Sequence, residues 1–215
     1  MPNMSKAPYL FFRSLCERIL ALITLLLLAP LLVLIALLVC LDGGAPLFCQ
    51  RRLGKDARPF YVIKFRTMLV NADQYLDAQG QPTRERVTFI GSFLRRFSLD
   101  ELPQLLNVVL GQMNLIGPRP LLPSYYPYLL PSEMKRFAIR PGLSGLAQIL
   151  CRNSMPWSKR LVMDRYYVQR ISARLDLFIL WQTFRVILGA QGYFPDRHYG
   201  KEDDLTQRPI LREAV

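Results

Sequence analysis

The sequence predicts a mainly α-helical protein with one small β-hairpin, an α+β fold that is monotopic and enters a membrane from one side only. Three observations support this prediction. Residues 19–41 carry no charged side chain, residues 47–65 form two short β-prone runs around a turn, and residues 99–110 and 159–188 place apolar side chains at helical spacing. A length of 215 residues suits one domain with an appendage.

The composition combines a high positive charge with a high apolar content. Hydrophobic residues make up 51% of the chain, the mean hydropathy is +0.16 and the formal net charge is +12. Charge alone would indicate nucleic acid, but with this apolar content it indicates a membrane surface or a phosphorylated lipid. We therefore expect no nucleic-acid partner.

Cysteine and histidine usage exclude several kinds of site. The only histidine, His198, lies near a polar C-terminus, so His-rich metal sites and Ser-His-Asp triads are not expected. Catalysis would have to rest on carboxylates, Lys, Arg and a hard metal ion. The cysteines lack CxxC spacing, which favours a reduced compartment without a zinc site; they are Cys16, Cys40, Cys49 and Cys151.

The uncharged run at residues 19–41 is the candidate membrane segment. A straight helix of this length would reach roughly 34 Å, enough to cross a hydrocarbon core of about 30 Å, so a transmembrane anchor is the first interpretation. A central Pro30 and basic flanks favour instead a re-entrant helix that breaks at Ala29-Pro30 and returns. Both interpretations stay open; the basic flanking residues are Arg13, Arg18, Arg51, Arg52 and Lys55.

The hairpin is predicted from two strands, residues 47–53 and 60–65, around a turn that contains Gly54. Val62, Lys64 and Arg66 share one strand face by the period of two. Lys64 and Arg66 presented together could clamp a diphosphate. The alternative is a solvated basic edge strand that prevents aggregation.

Two adjacent acids, Asp100 and Glu101, follow Ser98 with the spacing of a capping box, and Pro103 is tolerated near a helix start. This pattern predicts that both acids lie in a first helical turn, where the dipole favours negative charge. The helix should continue to residue 110 and end at Gly111. One interpretation is a well-capped surface helix; the other is a nucleophilic Asp100 with Glu101 beside it for a cation.

The pattern of the C-terminal half of the chain predicts further helices. Residues 159–188 are helical in pattern, and their apolar second part is interrupted by Asp176 and Arg185, which indicates a core helix or an interfacial amphipathic helix. We divide the chain into a basic segment (1–18), the re-entrant helix (19–41), a cytoplasmic-face catalytic domain (42–192) and a polar, peripheral tail (193–215).

Five motifs in order resemble the bacterial sugar transferase family, the monotopic polyprenyl-phosphate phosphoglycosyl transferases in their minimal catalytic form. The resemblance covers about residues 13–190 and includes the apolar helix with its central proline. Each motif alone is weak, but the set is specific. The motifs are QRRLG (50–54), KFRTM (64–68), SLDELPQLLNV (98–108), MNLIGPRP (113–120) and RPGLSG (140–145).

This resemblance implies that an aspartate attacks the β-phosphorus of a UDP-sugar, releases UMP and passes the phosphosugar to a polyprenyl phosphate such as undecaprenyl phosphate. It implies Asp100 as the nucleophile and Glu101 as the ligand of Mg²⁺. It also implies a bacterial inner membrane location with the active site on the cytoplasmic face, and leaves a homodimer open. Further residues that match family positions are Arg95, Arg119, Arg152, Asp164 and Asp176.

The chain departs from the family pattern in its membrane helix, where Ala29 replaces the usual serine before Pro30 and Glu17-Arg18 replaces the usual Lys-Arg. Two other functions would each account for part of the sequence. A membrane-associated scaffold or RNA-binding protein explains the charge and the apolar run, but not the Asp-Glu pair. A metal-dependent phospholipid-headgroup transferase would need an aspartate-rich metal motif that the sequence lacks.

Overall fold

The computed structural model describes residues 7–75, 86–151, 155–189 and 204–212. The helices in these ranges are α1 (Ala7–Leu41), α2 (Phe89–Arg96), α3 (Gln104–Val109), α4 (Leu146–Cys151), α5 (Trp157–Arg170) and α6 (Ala173–Leu188). The strands are β1 (Leu47–Leu53), β2 (Pro59–Phe65), β3 (Asn114–Ile116) and β4 (Gly142–Ser144). Short 3₁₀ turns cover Leu99–Glu101, Pro123–Tyr128 and Glu133–Ala138, among others.

The mainly helical class with a small hairpin is confirmed. β1 and β2 form an antiparallel pair in which Leu47 faces Phe65 and Leu53 faces Pro59. The second strand begins one residue before the predicted start. A second, parallel pair of strands joins β3 to β4 and was not predicted, because three-residue strands are too short to show a period of two.

The long helix α1 spans 35 residues and includes Pro30 without an interruption of the helix. By length and composition alone it could cross a membrane. Most of its apolar side chains are exposed, for example Leu26 and Leu27, which are 68% and 75% exposed. The re-entrant path with a break at Ala29-Pro30 stays a prediction.

Both halves of α1 pack against the rest of the protein along one narrow stripe. On the N-terminal side of Pro30, Ala21 lies in an apolar cluster with Val62 of β2 and Leu105 and Val108 of α3. On the other side, a second cluster contains Ile35, Val39, Phe65 and Leu94. The hairpin and α3 are therefore held directly against the apolar helix.

Asn107 pins α3 to the hairpin. Its side chain is fully buried; Oδ1 accepts from the Ile63 N–H at 3.1 Å, and Nδ2 donates to the Tyr61 carbonyl and to Gln112 Oε1, both at 2.7 Å. Among the described residues β1 is the only strand that pairs with β2, so the Asn107 amide completes backbone hydrogen bonds that a further strand would otherwise supply.

Replacing Asn107 by alanine should lower the free energy of unfolding by about 2–4 kcal/mol, because buried backbone groups on β2 lose their partners. Chemical unfolding in detergent would measure the change. Asn71→Ala is the matched control, since that amide is exposed and contacts Gln74 at 3.5 Å. Equal effects of the two substitutions would contradict this role for Asn107.

The described part of the tail, residues 204–212, is not peripheral, so that prediction is wrong for this segment. Leu205 is fully buried in a cluster with Leu53, Leu121 and Leu161, among other residues. Arg208 pairs with Glu133 at 2.8 Å. Residues 201–208 are mostly polar, and one leucine, Leu205, forms no periodic apolar pattern, so the sequence does not predict its burial.

Candidate active site

The two acids lie in the 3₁₀ turn Leu99–Glu101, just before α3. The predicted capping box is wrong: Ser98 has a left-handed backbone with φ of 56°, and its side chain makes no capping hydrogen bond. The preceding helix, α2, does have a side-chain cap, since Thr88 Oγ1 accepts from the Gly91 N–H at 2.8 Å. Backbone turn geometry, rather than a capped α-helical turn, therefore places the acids.

Glu101 is the centre of a compact charged cluster. One of its oxygens, Oε1, accepts from Lys64 Nζ at 2.6 Å and from Arg119 at 2.9 Å. Lys64 reaches it from β2, and Arg119 from the loop after β3. The Lys64 and Glu101 side chains are only 18% and 19% exposed. This excludes the solvated edge-strand interpretation for Lys64 and the surface-helix interpretation for Glu101.

The electrostatics of the two acids differ. Burial acts to raise the pKa of Glu101, but the charges and hydrogen bonds of Arg119 and Lys64 hold it well below its usual value. Burial, and then the Glu101 charge, raise the pKa of Asp100 to about 6, although Lys64, Arg95 and Arg119 oppose the rise. Asp100 is thus mainly ionised at neutral pH and accepts no hydrogen bond from the described residues.

Two more arginines border the acids. Arg95 at the end of α2 donates to Thr67 Oγ1 at 2.8 Å, and its charge acts on Asp100. Arg52 on β1 was missed as a site residue. Burial, and then repulsion from Arg119, lower its pKa to about 10. The strand period could have suggested Arg52, because it shares a face with Gln50, whose Oε1 accepts from it at 2.6 Å.

Arg66 and Asp176 make other contacts in the described structure. Arg66 donates to the carbonyls of Ala45 and Val39, at 2.9 and 3.0 Å, and so secures the end of α1. Asp176 accepts from the Tyr9 and Tyr167 hydroxyls, both at 2.6 Å, and lies 3.2 Å from Arg13. It ties α1 to α5 and α6, so its substrate-binding prediction receives no support from these contacts.

Asp164 is buried and pairs with Arg136 at 2.9 Å. Its contact with the site is indirect, through the loop that carries Arg119. Arg152 lies outside the described residues. Ala29 and Pro30 lie on the exposed surface of α1, away from the charged cluster.

The donor set suits a hard cation that also binds a substrate. Among the described residues no group of three or more Asp, Glu, His or Cys side chains converges, so a complete protein cage is not available there. Mg²⁺ commonly uses one or two carboxylates together with substrate phosphates and water. The Asp100 carboxylate and the second oxygen of Glu101 match this pattern, so the predicted Mg²⁺ fits the residues present.

A model of the bacterial sugar transferase family matches residues 8–190, a range that includes Asp100, Glu101, Lys64, Arg95 and Arg119. The chain belongs to the bacterial sugar transferase family. The resemblance found in the sequence motifs is thereby confirmed. All contacts of the charged cluster lie inside the matched range, whereas residues 204–212 lie outside it.

Relatives within the bacterial sugar transferase family carry related names. A UDP-galactose-lipid carrier transferase of Erwinia amylovora is 35% identical over 207 residues, or 89% of this chain and 43% of that protein. An exopolysaccharide production protein, ExoY, of Sinorhizobium fredii is 36% identical over 192 residues, or 82% and 85%. A UDP-glucose:undecaprenyl-phosphate glucose-1-phosphate transferase of Xanthomonas campestris is 40% identical over 187 residues, or 82% and 39%.

The chain therefore spans less than half of some curated relatives and most of the length of others.

Proposed function

We propose that this chain is a phosphoglycosyl transferase that moves a sugar-1-phosphate from a UDP-sugar to a polyprenyl phosphate, as the first membrane step of glycan or exopolysaccharide assembly. The observation that carries the proposal is the Asp100 carboxylate, which accepts no hydrogen bond from the described residues and lies directly beside the Glu101–Lys64–Arg119 cluster. Membership of the sugar transferase family and the names of the relatives support it.

The reaction would proceed in two displacements at one phosphorus atom. A carboxylate oxygen of Asp100 forms a bond to the β-phosphorus of the UDP-sugar, and the bond to the bridging oxygen breaks with its electron pair on UMP. A phosphate oxygen of the polyprenyl phosphate then attacks the same phosphorus, and the Asp100 carboxylate leaves. Covalent catalysis of this kind lets a water-soluble donor and a lipid acceptor use one site in turn.

The basic side chains supply charge that phosphoryl transfer requires. Lys64, Arg119 and Arg95 surround the acids and can stabilise negative charge on the phosphoryl oxygens. Arg52 adds a further cation beside Arg119. Mg²⁺ held by Glu101 and the diphosphate would neutralise part of the charge on the leaving group.

The membrane position follows from the acceptor. A polyprenyl phosphate carries its phosphate at headgroup level, so we place the cluster on the cytoplasmic face of the inner membrane and propose a re-entrant path for α1. Cysteines introduced near residues 3 and 60, one at a time, should both react with a membrane-impermeant reagent only from the cytoplasmic side. Labelling of the two positions from opposite sides would instead establish a spanning anchor.

The activity is tested by incubating the full chain with a panel of UDP-sugars, Mg²⁺ and polyprenyl phosphate. We expect UMP release with at least one donor, and a protein mass increase equal to one phosphosugar when the acceptor is withheld. A chain that releases no UMP and gains no mass with any donor would refute the proposal. The panel also identifies the sugar.

A further inference from the structure

Arg136 is a buried arginine outside the charged cluster, and it contacts the loop that carries Arg119. It lies in the 3₁₀ turn Glu133–Ala138, and its side chain is 2% exposed. The same nitrogen, Nη2, pairs with Asp164 at 2.9 Å and donates to the backbone carbonyl of Arg119. Asp164, on α5, is 3% exposed.

The loop at residues 118–121 is held by its carbonyl groups. Two of its residues, Pro118 and Pro120, have no N–H, so the loop has few donors with which to fix itself. The Pro118 carbonyl accepts from the Gly142 N–H at 2.9 Å, and the Leu121 carbonyl from the Leu53 N–H at 2.8 Å. Arginine side chains bind the two carbonyls that lie between these, those of Arg119 and Pro120.

Arg52 donates to the Pro120 carbonyl at 3.3 Å, and Arg136 donates to the Arg119 carbonyl. Four consecutive carbonyls are thus bound by three elements: β4 binds the first, the turn Glu133–Ala138 the second, and β1 the last two. Arg136 therefore binds the backbone of Arg119, the residue whose side chain contacts Glu101 at 2.9 Å. A shift of the Arg119 backbone would move its guanidinium away from Glu101 by a similar amount.

Burying the Arg136–Asp164 pair is costly for stability, since two charges leave water. Burial lowers the pKa of Arg136, and Asp164 and Glu133 oppose that change. One Arg136 nitrogen, Nη1, is buried and has no hydrogen-bond partner within the described structure. A pair held at this cost is better explained by what it positions than by net stabilisation.

We propose that Arg136, oriented by Asp164, is a positioning residue that fixes the Arg119 loop so that the Arg119 guanidinium stays on Glu101 and faces the transferred phosphoryl group. Arg136 does not touch the substrate and acts through Arg119. The inference rests on the proposed function, because Arg119 has a catalytic part only in phosphoryl transfer.

A double-mutant cycle tests this inference with Arg136→Lys in two backgrounds, the wild type and Arg119→Ala. Lysine keeps the charge, but its side chain is one bond shorter, so its ammonium does not reach the Nη2 position that contacts both Asp164 and the Arg119 carbonyl. We expect kcat/KM for UMP release to fall about 10- to 100-fold in the wild-type background, because small misplacements of catalytic groups cause losses of this size. In the Arg119→Ala background the further fall should be less than about twofold.

Tyr167→Phe is the control for stability loss alone. It removes a buried hydrogen bond to Asp176, 2.6 Å long, which joins α5 to α6. Thermal unfolding of each variant is recorded in parallel. An Arg136→Lys variant that loses activity equally in both backgrounds, or only in proportion to its stability as Tyr167→Phe does, would overturn the inference.

A second arm uses Asp164→Asn and pH. Burial raises the pKa of Asp164 to about 6, while Arg136 and Arg160, the cations that face it, oppose the rise. Glu133 faces Arg136 from the same turn. The kcat/KM of the wild type should exceed that of Asp164→Asn about tenfold above pH 7. The ratio should approach one at about pH 5 and below, where Asp164 of the wild type is mostly neutral.

A ratio that stays constant with pH would contradict the positioning role of the Asp164 charge. Failure of the proposed function is recognised separately, because the wild type itself would then release no UMP and form no adduct. An active wild type that is impaired by Arg119→Ala but unaffected by Arg136→Lys would refute the positioning role while leaving the proposed function intact.

Discussion

Replacing Asp100 by asparagine should abolish the phosphosugar adduct and reduce UMP release on the order of 10³-fold or more. The amide has the shape of the carboxylate but is a poor nucleophile, and the Lys64, Arg95 and Arg119 side chains around it stay in place. Intact-protein mass spectrometry after incubation with the UDP-sugar and Mg²⁺ measures the adduct directly. Coupled detection of UMP measures turnover.

Asp56→Asn is the matched control for this substitution. Asp56 is exposed in the hairpin turn and has φ of 56°, a conformation that asparagine tolerates well. We expect its activity to match the wild type. An adduct of normal yield on the Asp100→Asn protein, or on a different residue of the wild type, would exclude Asp100 as the nucleophile.

Replacing Glu101 by glutamine should reduce kcat/KM about 10²- to 10³-fold and raise the Mg²⁺ concentration needed for half-maximal rate at least about tenfold. The amide removes the negative charge that both Lys64 and Arg119 contact. It also removes the carboxylate proposed to bind the metal ion. A titration of initial rate against Mg²⁺, at saturating UDP-sugar, separates these two effects.

Glu133→Gln makes the same chemical change at another buried glutamate paired with an arginine, since Glu133 lies 2.8 Å from Arg208. This control should lose stability but keep the Mg²⁺ dependence of the wild type. If Glu101→Gln lowers the rate and leaves the Mg²⁺ dependence unchanged, Glu101 holds Lys64 and Arg119 without binding the metal ion.

The parts of the fold that the sequence predicts well are those determined by short-range patterns. The hairpin follows from β-prone runs around a turn. The contact of Lys64 with Glu101 does not follow from the period of two, which shows only that Val62, Lys64 and Arg66 share one strand face. Gly111 ends α3 as expected, with a φ of 73° that a residue with a side chain rarely adopts. The charge-free run likewise predicts a long apolar helix.

The sequence did not show contacts between distant segments. Asp164 reads as a candidate ligand because nothing nearby in the chain shows that Arg136 lies 2.9 Å away. Asp176 looks equally functional, yet two tyrosine hydroxyls and Arg13 satisfy it. Ser98 has capping-box spacing, but its left-handed backbone, a consequence of the turn from α2 into α3, prevents the cap.

The docked segment 204–212 bears on how the protein should be prepared for experiments. A truncated gene product ending at residue 190, the limit of the family match, would lack Leu205 and leave an apolar hole next to Leu53 and Leu121. It would also lack Asp204, whose carboxylate accepts from the Ser158 N–H at 3.1 Å near the start of α5. Proteins expressed for experiments should therefore include the segment up to at least residue 212, and a C-terminal affinity tag should follow it.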